Sequence, residues 1–321
     1  MVSSGDEVLQ AVTDDGLRLA LHRYRPAGAR RRHAVLCCHG LAANRLAFDV
    51  DPEVSLARHL ASRGFEVFVL ELRGHGVSQR PRWGWTFDDY VARDLPAAVA
   101  AVRRHAGCER VHWIGHSMGG LLGYAHLSRG GSDDFVSAVT VGSSLDYSDG
   151  TGFRRLAPLR PLLRRIPAVP VHLVARLSGG LVGRVTTPYE RFNVWSSNCE
   201  PRHWRAICRD GFHPVSSRVM EQLATALEPG GLRTANGAER YDEGLPRATT
   251  PVLALAGSRD AQCPPRAVER TAASLGSSCR VALFGRDHGH ADEYGHFDLL
   301  VGRQARAEVF PVVERWLAEH D

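Results

Sequence analysis

Residues 111–120 read VHWIGHSMGG and contain the run Gly115-His116-Ser117-Met118-Gly119. Glycines on both sides of a serine permit a sharp turn from strand into helix, and that turn lifts the hydroxyl above the sheet where it can attack an electrophile. Such a run alone is weak, because glycine and serine are common. Its context sharpens it. An apolar stretch precedes the run, and Gly119, Gly120 and Gly123 supply the small residues that a helix packed close behind the turn needs. The alternative is an ordinary strand–turn–helix with a surface serine.

A serine hydroxyl is a poor nucleophile unless a base takes its proton, an acid orients the base and donors hold the oxyanion. Downstream, Gly257-Ser258-Arg259-Asp260 closes the apolar run VLALAG. Asp260 therefore lies at a carboxyl strand end, where ligand sites of open α/β sheets form. Its alternative reading is a cap for a helix beginning near Pro264. Asp146, after the apolar run 135–141, is a second candidate acid. For the base, His288, His290 and His296 compete within DHGHADEYGHFD at 287–298. The same cluster could be read as metal ligands. It is glycine-rich and lacks helical i, i+4 pairing, so no metal is expected. A loop histidine bonded to backbone carbonyls is the alternative for each. Two backbone N–H groups, from Met118 after the serine and from Leu41 after His39-Gly40, are placed to hold an oxyanion.

The elements that would position these groups can be read along the chain. Residues 8–13 and 17–24 flank Asp14-Asp15-Gly16 and predict an antiparallel hairpin. Strands are expected at 33–38, 65–70, 111–114, 135–141, 251–257 and 280–284. Helices are expected at 54–63, 87–105, 120–127, 265–275 and 303–319. Strand–helix alternation predicts an α/β fold: a mainly parallel sheet covered on both faces. The rhythm breaks from 144 to 245, where Pro158, Pro161, Pro167, Pro170, Pro188, Pro201 and Pro214 divide short helical patterns. The expected organisation is a core of 1–143 and 246–321 with a helical cap inserted at 144–245.

Composition removes other chemistries. The 321 residues hold 40 basic side chains, all arginine, and only three isoleucines, at 114, 166 and 207. Without lysine, Schiff-base chemistry, Walker-type phosphate binding and Ser-Lys dyads are excluded, and only a histidine is left as base for Ser117. The net charge is +5. The arginines are spread along the chain rather than striped with aromatics, so no nucleic-acid partner is expected. The seven cysteines form no C-x-x-C pair, and Cys37-Cys38 reads as a pair of small buried hydrophobes. No apolar run approaches the ~18 residues of a membrane span, and the N-terminus lacks a signal pattern. Together these readings lead us to expect a cytoplasmic protein.

The set His39-Gly40, Glu71-Leu72-Arg73-Gly74-His75-Gly76-Val77-Ser78, Gly115-His116-Ser117-Met118-Gly119-Gly120, Asp260 and His296 resembles the α/β-hydrolase superfamily, nearest to lipase/esterase-like serine hydrolases with a helical cap. The resemblance covers about residues 8–143 and 246–319. Relatives often carry Asp where Glu71 stands, a position outside the triad. They also often follow the last histidine two residues later with Asp, as in His296-Phe297-Asp298, which favours His296 over His290. The resemblance implies a Ser117–His296–Asp260 triad, an acyl-enzyme, an oxyanion hole at Leu41 and Met118, a small-molecule ester or acyl substrate, and no cofactor. A serine at the turn sets the chain apart from the superfamily's dehalogenases and epoxide hydrolases, which use aspartate there.

Beside the serine, His116, Trp83 and Trp85 are candidates to line an acyl pocket; anchoring of their loop is the other reading of the two tryptophans. Arginine and apolar residues alternate in blocks from Arg154 to Ile166. This reads either as a lid meeting lipid or an anionic acyl carrier, or as the solvated face of a cap helix. Three functions remain to be separated: ester hydrolysis, thioester release or acyl transfer on the same triad, and non-catalytic binding on this fold.

Overall fold

The computed structural model describes residues 5–148, 150–159, 161, 165–276 and 278–321. Its centre is an eight-stranded sheet. We number the strands β1 (Glu7–Val12), β2 (Arg18–Tyr24), β3 (Ala34–Cys38), β4 (Val67–Glu71), β5 (Val111–His116), β6 (Phe135–Val141), β7 (Val252–Gly257) and β8 (Cys279–Phe284). Their spatial order is β1-β2-β4-β3-β5-β6-β7-β8. The hairpin β1–β2 is antiparallel and meets β4 antiparallel; every later pairing is parallel.

The central strands read as continuous apolar runs because helices cover both faces. AVLCC of β3, VHWIGH of β5 and VLALAG of β7 are buried at every position. Cys37 and Cys38 are fully buried, and all seven cysteines are free thiols. The helix Met118–Ser128 is buried almost all round, as its small and apolar residues dictate. After β3 the chain runs outward to β4, then returns to the other side of β3 as β5. That reversal opens a crevice at the carboxyl ends of β3 and β5.

Two expected helices are broken where proline removes a donor. The pattern 87–105 forms a turn at Phe87–Asp89, a wide π-turn at Tyr90–Asp94 and a helix at Leu95–Ala106. Pro96 has no N–H for the Ala92 carbonyl, and the Leu95 N–H reaches back to Tyr90 instead. At the C-terminus, 303–319 divides into Ala305–Glu308 and Phe310–Glu319, with Pro311 opening the second helix. The expected strand 111–114 extends to His116, directly before the serine.

Between β6 and β7 the chain leaves the sheet. Here short helices at Val171–Gly179, Pro188–Asn193, Pro201–Ala206 and Ser217–Leu223 join a two-stranded ribbon, Ala168–Val169 with Val215–Ser216. Thr187 caps one of them, its hydroxyl accepting from the Glu190 N–H at 3.1 Å. Positions 160 and 162–164 of the arginine-rich run lie outside the described residues. No helix among the described residues is long and apolar enough to cross a membrane.

Candidate active site

Ser117 is the one residue between β5 and the helix Met118–Ser128, with φ +51° and ψ −119°. Among the described residues only Ser117 and Ala42 are non-glycines with positive φ. Strain of this kind persists only where neighbours fix it. The Ser117 N–H donates to the Val141 carbonyl at 2.8 Å, and the Ser143 hydroxyl donates to the Ser117 carbonyl at 2.9 Å. Both ties bind the turn to the end of β6. The glycines are required by close approach: a Cβ on Gly119 would lie 2.2 Å from the Cys38 carbonyl oxygen, and one on Gly115 2.3 Å from the Gly119 backbone.

The loop after β3 comes against the serine from the other side. A Cβ on Gly40 would lie 2.8 Å from the Ser117 Cβ. This brings Leu41, the next residue, beside the turn that carries Ser117 and Met118. The loop is fixed in turn. Ala43 donates to the Gly40 carbonyl at 3.2 Å, and His39 Nε2 accepts from the Leu72 N–H at 3.2 Å. The motif from Glu71 to Ser78 forms the adjoining wall. Arg73 is buried and donates from Nε to Asp94 at 2.7 Å, while the Glu71 carboxylate accepts from the Val77 N–H at 2.7 Å. These residues hold loops in place rather than forming the reacting group.

Asp260 and His296 meet at the carboxyl ends of β7 and β8. His296 Nδ1 lies 2.7 Å from Asp260 Oδ2, and both side chains are buried. The other carboxylate oxygen accepts from the N–H groups of Gln262 and Cys263, each at 2.8 Å. With Nδ1–H donating to the carboxylate, Nε2 carries the lone pair. That Nε2 is buried and has no hydrogen-bond partner among the described residues. The backbone at the end of β6 runs alongside: Gly142 has φ +58°, and a Cβ there would lie 3.0 Å from Asp260 Oδ2. The turn at Ser117 is tied to this same stretch of backbone through Val141.

The competing residues are occupied elsewhere. His290 Nδ1 lies 3.2 Å from the Gly285 carbonyl, and its ring packs 4.7 Å from that of Phe284. His288 is exposed on the turn Arg286–His288. Asp146 pairs with Arg270 at 3.2 Å. The three histidines of 287–298 thus have three separate environments. The one His/carboxylate group found close enough to share an ion among the described residues is His33, His112 and Asp321, at the amino ends of β3 and β5.

His116 is fully buried beside the Asp260–His296 pair. Its ring is 4.7 Å from that of His296, and its Nε2 lies 3.2 Å from the His296 carbonyl. Burial, reinforced by the neighbouring His296, pushes its pKa well below the ordinary imidazole value, so it stays neutral beside that ring. Trp85 is buried, donates from Nε1 to the Tyr90 hydroxyl at 2.8 Å and stacks on Trp83 with centroids 5.0 Å apart. These contacts are those of a loop anchor.

Several contributors from the segment between β6 and β7 carry no signal in the sequence. The segment between β6 and β7 docks on the loops that surround the site. The His213 backbone N–H donates to the Ala42 carbonyl at 2.7 Å, and Asn44 Nδ2 donates to the Asp210 carbonyl at 2.9 Å. Phe212 and Trp204 pack on Phe297 with centroids 5.7 and 5.5 Å apart. Asp298 is fully buried and accepts from the N–H groups of Trp195 at 2.9 Å and Gly295 at 2.8 Å. Burial pushes its carboxyl up to about 7.

With this geometry in place, the comparisons agree on the class. The chain belongs to the alpha/beta hydrolase fold family, whose model matches residues 33–302. It is similar to triacylglycerol lipase 2 of Arabidopsis thaliana, 33% identical over 154 residues, and to human gastric triacylglycerol lipase, 30% identical over 139 residues. The matched stretches cover 42 and 38% of this chain and 36 and 35% of those relatives, so they span about a third of those lipases. Among solved structures it is similar in fold to an esterase from Exiguobacterium antarcticum, with TM-score 0.64 and 18% identity, covering 97% of this chain and 100% of that one. A monoacylglycerol lipase from Paleococcus ferrophilus gives TM-score 0.63 and 19% identity, covering 94 and 99%.

Proposed function

We propose that the protein is a carboxylic-ester hydrolase working through Ser117, His296 and Asp260. The observation that carries this reading is the buried Asp260–His296 pair at 2.7 Å with Nε2 left unpartnered, on the same crevice as the strained Ser117. His296 Nε2 removes the Ser117 proton as Oγ adds to the ester carbonyl. The N–H groups of Leu41 and Met118 hold the resulting oxyanion. The imidazolium, stabilised by Asp260, then gives its proton to the departing alcohol and leaves an acyl-serine. Water, deprotonated by the same nitrogen, releases the acid and restores Ser117. The segment between β6 and β7 acts as a cap over the crevice, a role supported by its contacts with Ala42, Phe297 and Asp298.

Ester cleavage, rather than thioester release, agrees with the lipases and esterases to which the chain is similar. The test is turnover of a short-chain p-nitrophenyl ester. The native protein hydrolyses it, and Ser117→Ala abolishes the activity while circular dichroism stays native. Activity that survives the substitution would overturn the reading, and so would turnover of acyl thioesters alone.

A further inference from the structure

Positions 150–189 contain seven arginines, at 154, 155, 160, 164, 165, 176 and 184, and no aspartate or glutamate. The same stretch carries a concentration of exposed apolar surface. Nine large hydrophobic side chains are exposed among the described residues, and five of them fall between 173 and 185. Leu173, Val174, Leu177, Leu181 and Val185 are 50, 53, 78, 47 and 62% exposed. Single exposed leucines need no explanation, whereas a contiguous group marks a surface that meets something apolar.

Leu173 and Leu177, one turn apart, share one side of the helix Val171–Gly179, and Leu181 and Val185 follow on the turns beyond its end, where Gly183 is left-handed. The helix Val171–Gly179 is followed by further turns, with Leu181 N–H bonded to the Ser178 carbonyl and Val185 N–H to the Leu181 carbonyl. The opposite side is committed to the protein. Ala175, Ser178 and Gly179 are buried, and a Cβ on Gly179 would lie 2.7 Å from the Cys208 Cβ. At the edge between the two sides the exposed Arg176 ties the helix down, its Nε donating to the Arg209 carbonyl at 3.0 Å. The helix therefore cannot roll its apolar row inward.

An apolar row edged by Arg176 and Arg184, on a stretch with no acid, matches one kind of surface: hydrocarbon beneath an anionic head-group layer. A second copy of this chain would set arginine against arginine. We propose that this face docks the protein on an anionic phospholipid bilayer, with Leu173, Leu177, Leu181 and Val185 at the acyl boundary and the arginines among the phosphates. The same arm that backs the helix continues to Phe212 and His213, which contact Phe297 and Ala42 beside the candidate site. The docked face and the crevice are thus joined through one layer of packing. The docking stands on the surface alone; its use for drawing esters from a membrane rests on the ester-hydrolase reading.

The test is co-sedimentation of the full chain, carrying Ser117→Ala so that no lipid is consumed, with phosphatidylcholine vesicles with or without phosphatidylglycerol. Binding is expected only with phosphatidylglycerol. It should weaken about tenfold or more in Leu177→Asp/Leu181→Asp and in Arg176→Gln/Arg184→Gln, and should fall as salt rises. On the Ser117 background of the native protein, Leu177→Asp/Leu181→Asp should leave soluble-ester turnover unchanged, which also shows that it folds. Absence of binding to phosphatidylglycerol vesicles, or equal binding by the variants, overturns the proposal. So does a dimer that Leu177→Asp/Leu181→Asp dissociates, which would seat a second copy on this face. Failure of vesicle binding with soluble-ester turnover intact overturns the docking alone; absence of turnover with vesicle binding intact overturns the hydrolase reading alone.

Discussion

The Asp260 carboxylate accepts three hydrogen bonds in a buried site, two from backbone N–H groups and one from His296. No neutral amide can satisfy all three. In Asp260→Asn the amide oxygen must face the two backbone donors, so the NH2 group faces Nδ1. That drives the imidazole proton to Nε2 and removes the base. The expected result is a fall in kcat of about 10³–10⁴-fold with little change in KM or folding, read on a soluble p-nitrophenyl ester. A fall of less than tenfold would show that Asp260 does not set the tautomer. As candidates, Ser117 and Asp260 are legible in the sequence because their signal is local: glycines around the serine, and an acid just past an apolar run. His296 was not separable from His290 by residue type, since the distinction lies in what each ring meets after folding. Phe284 and the Gly285 carbonyl take up His290, while Asp260 takes up His296. Ala42 escaped notice because alanine announces neither strain nor function. The burial of His116 against His296 and Phe297 likewise arises only from contacts made on folding.

At the scale of elements, parallel strands with unbroken apolar runs and a D-G hairpin turn were readable from periodicity alone. Helix ends were less so. Pro96 and Pro311 divide patterns whose apolar spacing continues across them, because the interruption lies in a missing N–H rather than in hydrophobicity. The segment between β6 and β7 was hardest. Its helices are six to nine residues long, too short for a periodic signal, and they are held by docking rather than by propensity. The Phe212–Phe297 contact and the Trp195–Asp298 hydrogen bond, each linking residues far apart in the chain, are invisible before the strand order is known. Proximity of β3 and β5 is likewise a property of the crossover. It turns two unremarkable H-G and G-H-S runs into opposing walls of one crevice.

For the whole molecule, the largest electrostatic consequence of this packing is its response to acid. Burial holds His39 down to about 4 and keeps His75 and His116 well below the ordinary imidazole range. His33, His59, His112, His203 and His213 are lowered in the same way. In the unfolded chain these groups take protons near ~6.5. The unfolded state therefore binds more protons as pH falls from there toward 4, and stability that is complete above ~6.5 is lost across that window. Asp94 and Asp298 act oppositely, since burial raises them to about 6 and about 7, and folding then favours their protonated forms. Eight named histidines outweigh two carboxyls. The urea midpoint should be lower at pH 5 than at pH 7.5, by more than ~1.4 kcal/mol in unfolding free energy, the linkage of a single group shifted by one unit. An equal or higher midpoint at pH 5 would show that the histidines are not held neutral.

The central claim is that one serine, activated by one histidine, does the chemistry. Reaction of the full chain with a fluorophosphonate probe, followed by peptide mass mapping, tests it most directly. The expected adduct is on Ser117 alone, lost in His296→Ala and retained in His290→Ala. An adduct on a different residue, or labelling of Ser117 that survives His296→Ala, would contradict it.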